Sequence, residues 1–227
     1  MFNGFTDAAV DFLWGIRFNN ERSWFEAHKD IYLKEVYAPM RALGEEMYDF
    51  LAEKRPDDPL ICRVTRIYRD ARRLHGRGPY KDHLWFCVER PAEERAARPS
   101  FWFELGADYW GYGLGCWMSS PTDMAKLRAR ILRDPKPMEQ LTNALNGQTE
   151  FTLGGPAYKR PKAGAPSPLL EPWFRLKAVS IIREDKLEDA LFSREIVDRL
   201  KSGYEFLLPY YDYFLTLPSD PEPEALN

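Results

Sequence analysis

The sequence predicts an α+β fold, with an antiparallel sheet of about four to six strands packed with N-terminal and C-terminal helices. Three observations lead there. Apolar residues recur at helical spacing up to Lys54 and again from Pro121 onward. Between Leu60 and Met118 the period changes to alternation rich in aromatic and β-branched residues. Short turn-forming stretches separate those runs, so neighbouring strands are antiparallel.

Thr6 is placed to cap a first helix, with Asp7 at the favourable end of its dipole. Phe5 and Val10 have the spacing of a hydrophobic staple, and Val10, Leu13 and Trp14 form the expected apolar face. Asn19 or Asn20 is expected to cap a second, longer helix, which Pro39 should kink or split and "KRPDDP" ends. "ICRVTRIYRDARR" reads as a strand, "LHGRGP" as a loop and "YKDHLWFCVER" as an antiparallel second strand. After the polar connection "PAEERAARP", "SFWFELG" and "YWGYGLGCWM" are two more strands turning at "ADY", which completes a four-stranded meander. Ser120 or Thr122 caps the next helix, and "PKPMEQLTNALNG" is a short helix ended by Gly147. "YKRPKAGAPSP" reads as a surface loop and "WFRLKAVSIIRE" as a further strand. The closing helix carries Ile196, Leu200, Tyr204 and Leu207 on one face, and residues 218–227 read as a flexible acidic tail. No repeat or long linker divides the 227 residues, so a single domain is expected.

With 44% hydrophobic and 15% aromatic residues, the chain can build a full core and is not disordered. A net charge of only −3 argues against a general nucleic-acid coat, so any such role must rest on a local patch. The three cysteines, Cys62, Cys87 and Cys116, form no CxxC pair and fit a reducing compartment. Each is expected in or beside a strand as a small buried residue. The N-terminus lacks the pattern of a signal peptide, and no apolar run is long enough to span a bilayer. A cytoplasmic protein without a membrane partner is expected.

One stretch stands out chemically. Between Arg69 and Trp85, the cations Arg69, Arg72, Arg73, Arg77 and Lys81 crowd around Asp70 and Asp82, beside His75, His83, Tyr80 and Trp85. On the first strand Arg66, Tyr68, Asp70 and Arg72 share one face, and Ile67 and Arg69 the other. On the second, Lys81, His83 and Trp85 lie opposite the apolar Leu84, Phe86 and Val88. Arginine offers planar donors matched to phosphate or carboxylate. Grouped cations repel one another unless an anion joins them, and Asp70 and Asp82 supply only part of that charge. His83 is the proton-transfer candidate near pH 7. The competing reading is a set of cross-strand ion pairs with no ligand.

Gly111, Gly113 and Gly115 fall on one strand face, which requires close packing or a ligand against bare backbone. No phosphate-cradling glycine loop and no GxSxG elbow is present. His28, His75 and His83 have no ligand spacing, so no metal and no cofactor is expected, and His28 is expected to pack on neighbouring rings.

The stretches "NNERSWFEAHKDIY", "RIYRDARR…PYKDHLWF", "GYGLGCWM", "YKRPKAGAP" and "WFRLKA", in that order, carry a resemblance over nearly the whole chain. The chain resembles the uncharacterised, mainly bacterial family known as domain of unknown function 2461. The resemblance implies a set of characteristic positions. They are Arg66, Arg69, Asp70, Arg72, Pro79, Tyr80, Lys81 and His83, with Asn20, Trp24, Phe25, Lys159, Arg160, Pro161 and Lys177. Arg73 and "HGRG" stand where relatives carry an aromatic and a lysine-flanked acid, so no loop acid is available here to hold a metal.

The function expected from these residues is binding of a small phosphate- or carboxylate-bearing ligand in a basic pocket on the sheet. Arg66, Arg69, Arg72, Tyr80 and Lys81 would contact it, with Lys159, Arg160 and Lys177 converging from distant segments. A phosphoester hydrolase or transferase using Asp70 and His83 is the second reading. A non-catalytic module for protein or nucleic acid is the third, with nucleic acid not favoured. The sequence assigns neither a reaction nor an oligomeric state.

Overall fold

The termini of the first helix show how local chemistry sets the fold. In the computed structural model, which describes residues 1–70, 72, 74, 76–91, 98–116, 119–160 and 164–222, α1 spans Asp7–Phe18. The Thr6 hydroxyl accepts from the Ala9 amide at 3.3 Å, as its cap position demands. Its buried face is Ala9, Phe12, Leu13 and Ile16, so of the expected Val10, Leu13 and Trp14 only Leu13 is core. Phe12 fixes that rotation by packing on Trp24, Phe25 and Tyr32.

Neither Asn19 nor Asn20 caps α2 (Arg22–Ile31); Glu21 precedes it. Both asparagines close α1 instead. Asn19 Nδ2 donates to the Gly15 carbonyl at 3.0 Å and Asn20 Nδ2 to the Ile16 carbonyl at 3.1 Å. A helix C-terminus leaves carbonyls without amide partners; the Asn20 side chain satisfies that of Ile16, and the Asn19 side chain joins its own backbone amide on that of Gly15. The helix then runs through a π-helical segment, Tyr32–Tyr37, into α3 (Ala38–Lys54). Proline lacks an N–H and crowds the carbonyl four residues back, so the expected break at Pro39 takes the form of wider turns just before it.

The described strands form one antiparallel six-stranded sheet in the order β1-β2-β3-β4-β6-β5. They are β1 (Ile61–Val64), β2 (His83–Glu89), β3 (Ser100–Gly106), β4 (Tyr109–Gly115), β5 (Thr152–Gly154) and β6 (Ser180–Lys186). The first four make the expected meander. β5 is a short edge strand without a sequence signal of its own, and it pairs Leu153 with Ile181. By contacts the chain forms two compact units. One comprises Met1–Val88, Trp102–Tyr112 and Glu184–Ser202; the other comprises Glu89–Phe101, Gly113–Arg183 and Gly203–Asn227.

In the first unit, β1 is much shorter than the strand expected over "ICRVTRIYRDARR". The chain beyond it still runs beside residues 79–85. Thr65 N donates to Trp85 O at 2.9 Å, Lys81 N to Ile67 O at 2.7 Å and Arg69 N to Pro79 O at 2.7 Å. Those bonds flank the facing pair Tyr68 and Tyr80. The N–H and C=O of Tyr80 therefore point outward, away from residue 68. Asn20 meets both of them. Its Nδ2 donates to Tyr80 O at 3.0 Å and its Oδ1 accepts from Tyr80 N at 2.9 Å, so a side-chain amide acts as a one-residue strand. A Cβ on Gly78 would collide with this amide, which explains the glycine. Ala71, Arg73, His75 and residues 92–97 of the polar connection lie outside the described residues.

β2 alternates as expected: Leu84, Phe86 and Val88 are fully buried and His83, Trp85 and Cys87 half-buried. Phe103 on β3 stacks against Phe5 and Phe86 in the same core. Cys62 is half-buried too, and burial lifts its thiol to about 11.

In the second unit, Ser120 caps α4 (Pro121–Arg133) in a reciprocal box with Asp123. α5 is Lys136–Asn146. A Cβ on Gly113 would strike the Ile181 carbonyl, so backbone packing accounts for that glycine. Trp173, Phe174 and Arg175 were expected in a strand; they belong to the short helix α6 (Glu171–Arg175), where the Trp173 indole N–H donates to Thr142 Oγ1 at 2.9 Å. Arg128 on α4 is 4% exposed and donates to the carbonyls of Phe174, Met124 and Leu176 at 3.2, 3.1 and 2.6 Å. Burial lowers its pKa, and the acceptors that hold it among the described residues are neutral carbonyls. Cys116 is buried, which pushes its thiol up to about 12. α7 (Glu195–Leu215) buries the expected Ile196 and Leu200, which belong to the first unit, and Tyr204 and Leu207, which belong to the second. Near the C-terminus, Asp220 accepts two hydrogen bonds from Arg130 at 2.6 and 2.7 Å.

Asn20→Ala leaves the Tyr80 N–H without its partner, while Tyr80 O keeps Arg69 Nε, and should lower stability by about 1–3 kcal/mol for the one group left unmade. Gly78→Ala should destabilise through the same contact, and combining the two should cost less than their sum. Urea unfolding of the three variants checks this; strictly additive losses would contradict the contact.

Candidate functional site

Residues 66–83 of the first unit hold the predicted cluster, and its centre is Asp82. Arg17, from the last turn of α1, donates through Nε to Asp82 Oδ2 at 2.6 Å and through Nη2 to Asp108 Oδ1 at 2.9 Å. Its guanidinium also lies 4.7 Å from the centre of the Trp14 ring. Arg69 Nη2 reaches the other Asp82 oxygen at 3.4 Å, while its Nε donates to Tyr80 O at 2.7 Å. His83 Nδ1 lies 3.2 Å from the same Oδ1. An ionised carboxylate only accepts, so Nδ1 carries the hydrogen and Nε2 is left as the basic nitrogen.

Burial alone would raise the Asp82 pKa, but the Arg17 hydrogen bond and the charges of Arg17 and His83 outweigh it and hold the carboxyl below its usual range. The Arg17 pKa moves the opposite way, upward, through its bond to Asp108 against burial, with Asp82 adding to it.

The other predicted residues separate by environment. Arg72 is 88% exposed and forms a two-pronged pair with Asp70, at 3.0 and 2.8 Å. Asp70 is thus engaged with Arg72, and the carboxylate on His83 is that of Asp82. Tyr80 is a core residue. Its ring stacks on Phe25 at 4.4 Å and meets Tyr68 at 5.3 Å, and burial raises its pKa. Arg66 is exposed and makes no side-chain ion pair or hydrogen bond with the described residues.

Lys81 has no carboxylate within salt-bridge distance among the described residues. Its Nζ donates to the Arg66 carbonyl at 2.6 Å and sits 4.3 Å from the centre of the Trp85 ring. Burial, then the charges of Arg69 and Arg66, lower its pKa against an opposing pull from Glu104. Glu104 is itself bonded by the Tyr109 hydroxyl. His83 stacks on the same Trp85 ring, with centres 5.6 Å apart. Along one strand face, then, an amine and an imidazole share one indole.

Lys159, Arg160 and Lys177 belong to the second unit, and all three are exposed. Lys177 lies 5.0 Å from the centre of the Tyr158 ring. Pro161 lies outside the described residues. An open cavity of about 400 Å3 also lies in this unit, lined by Leu153, Gly154, Ala157, Glu171, Arg175 and Leu176, none of which the sequence reading singled out. His28 packs as expected, stacked on Trp24 at 4.0 Å with Nδ1 2.8 Å from Trp24 O. Among the described residues no group of three or more His, Cys, Asp or Glu is arranged to hold a metal ion, and no helix is long and apolar enough to cross a membrane.

The hairpin carries the motif stretch on which the family resemblance rests, and the match extends well beyond it. The family of conserved hypothetical proteins designated DUF2461 matches residues 8–213. The chain belongs to the DUF2461 family. A search of the curated proteins found no match. For this DUF2461 protein, Arg17 is the residue of the cluster that sequence reasoning left out, and Asp82, read there only as part of the counter-charge, is its centre. The available signal was parity: Asp82 shares the alternation of Leu84 and Phe86, and an acid facing the core side requires a cation.

Asp82→Asn should cost about 1.5–3 kcal/mol at pH 7, the range for a hydrogen bond to a charged partner. Because the folded pKa is depressed, the wild-type advantage exists above the ordinary carboxylate range and disappears as pH falls through the folded value. Denaturation of both proteins between pH 7 and pH 3, rough bounds of the carboxylate range, should show the gap closing; a constant gap would assign the loss to something other than this charge.

Proposed function

We propose that this DUF2461 protein binds a small phosphate- or carboxylate-bearing anion at the 66–83 hairpin, with Arg66 and Lys81 as its direct partners. The observation that carries the reading is the split between neutralised and available cations. Arg17, Arg69 and Arg72 each donate to a carboxylate, whereas Arg66 and Lys81 do so to none among the described residues. Lys81 is also half-buried beside two guanidinium groups, so an incoming anion relieves repulsion that water screens only partly. Arg66 supplies a planar fork for two oxygens. Asp82 fixes Arg69 and His83 at the back of the site, and Asp70 holds Arg72.

A second reading is acid–base chemistry on a bound phosphoester. It is favoured by one contact, the 3.2 Å approach of Asp82 to His83 Nδ1, which orients Nε2 as a base. In this reading Asp82 stands beside His83, where the sequence had paired Asp70 with His83 as acid and base.

Inorganic phosphate and a panel of phosphorylated and carboxylated metabolites should raise the melting temperature of the wild type at low salt. Arg66→Ala should fold normally and lose most of that shift, as should Lys81→Met. No shift with any compound, or an undiminished shift in Arg66→Ala, would contradict the reading. His83→Ala with full turnover of a substrate found in the panel would reject the second reading alone.

A further inference from the structure

We infer that the open cavity of the second unit binds a small zwitterion with an apolar side chain, an amino acid such as leucine or a dipeptide of such residues. The cavity shares no residue with the 66–83 hairpin, so the inference stands apart from the anion reading there. Its volume of about 400 Å3 is within the range of small-molecule sites. Leu153 and Leu176 give it apolar walls, and Gly154 and Ala157 leave another stretch of wall nearly bare of side chain. Its charged members are Glu171 and Arg175, at the two ends of α6. A glutamate four residues before a cation on a helix, with about 5–6 Å between the Cβ atoms, is well placed to form an ion pair. Neither side chain does so. Among the described residues each lacks an ion pair or hydrogen bond, with the other or with any third group.

Buried hydrogen bonds fix the walls in advance. Ala157 faces Leu176 across an antiparallel bridge, flanked by Tyr158 N to Arg175 O and Lys177 N to Pro156 O, both at 2.7 Å. The buried Arg128 donates to the carbonyls of Leu176 at 2.6 Å and Phe174 at 3.2 Å, which holds the end of α6. The Trp173 indole ties the same helix to Thr142 at 2.9 Å. Arg128 has no carboxylate partner among the described residues, so its charge adds to that of Arg175 at the Leu176 wall. The cavity is thus positive at one end of α6 and negative at the other.

A ligand with a single charge would satisfy one of these side chains and be repelled by the other. A carboxylate beside Arg175 and an ammonium beside Glu171, carried on one small molecule, satisfy both. The leucine-lined wall then receives the apolar side chain. Leu153 and Gly154 belong to β5, the last strand of the sheet, whose outer edge has no strand beside it among the described strands. Its outward N–H and C=O groups remain as partners for the backbone atoms of the ligand.

The test is titration calorimetry of the intact chain with L-leucine and with L-leucyl-L-leucine. At least one should bind, and the tighter of the two identifies free amino acid or dipeptide as the source. The N-acetyl form of that ligand lacks the ammonium, its amide lacks the carboxylate, and its glycine counterpart lacks the apolar side chain, so each should bind several-fold more weakly. Glu171→Gln should abolish the preference over the N-acetyl form, and Arg175→Gln the preference over the amide. Both side chains are exposed, so both variants should melt as the wild type does. No binding by either zwitterion overturns the inference. Binding of the N-acetyl form as tight as that of its parent overturns it too. So does binding that is lost in Arg66→Ala and kept in Arg175→Gln, which assigns the ligand to the hairpin as a simple anion.

Discussion

Asp82 is the charge on which the hairpin depends. Two guanidinium groups and an imidazole meet this one carboxylate, which is about four-fifths buried. Without it, Arg17 from the end of α1 and Arg69 from the hairpin would repel each other in a poorly hydrated place. The carboxylate stays ionised because its hydrogen bonds and nearby positive charge exceed the cost of burial. One local charge therefore ties the first helix to the hairpin and orients His83. It does not extend to Arg66 or Lys81, the two cations to which the proposed site assigns the anion.

The strand alternation of β2 turns that electrostatic arrangement into a surface with two sides. Leu84, Phe86 and Val88 are drawn into the core, and each fully buried side of this kind contributes on the order of 1.5–3 kcal/mol. With the register fixed by the core, Lys81, His83 and Trp85 must share the opposite side. Asn20 sets where the regular pairing ends. By occupying both outward backbone groups of Tyr80, it lets the chain approach β2 without a further strand beside it. The tight fit of Gly78 against Asn20 makes this arrangement hard to shift.

Much of this was legible in the residues, and the misses have physical causes. Thr6 followed by Asp7, and Ser120 followed by Pro121 and Asp123, are local capping chemistry, and local chemistry survives tertiary context. The β2 alternation and the α7 face were equally plain because burial enforces a period. Asn19 and Asn20 misled because an asparagine serves a helix end of either polarity, and only the position of Tyr80 decides between them. The β1 strand was overextended because alternation continues to Arg69 while regular pairing stops at Val64. Of the site, the residue types and the face of Lys81 and His83 were readable. The partners were not: Arg17 lies 65 residues from Asp82 in sequence, and nothing local marks the pair.

The most direct measurement of the central claim is a crystal soaked in selenate, with the anion located by its anomalous signal. The account predicts selenate within hydrogen-bond reach of the Arg66 guanidinium and Lys81 Nζ, with Asp82 still holding Arg17 and Arg69. Selenate bound only at other places, with Arg66 extended into solvent, would contradict it.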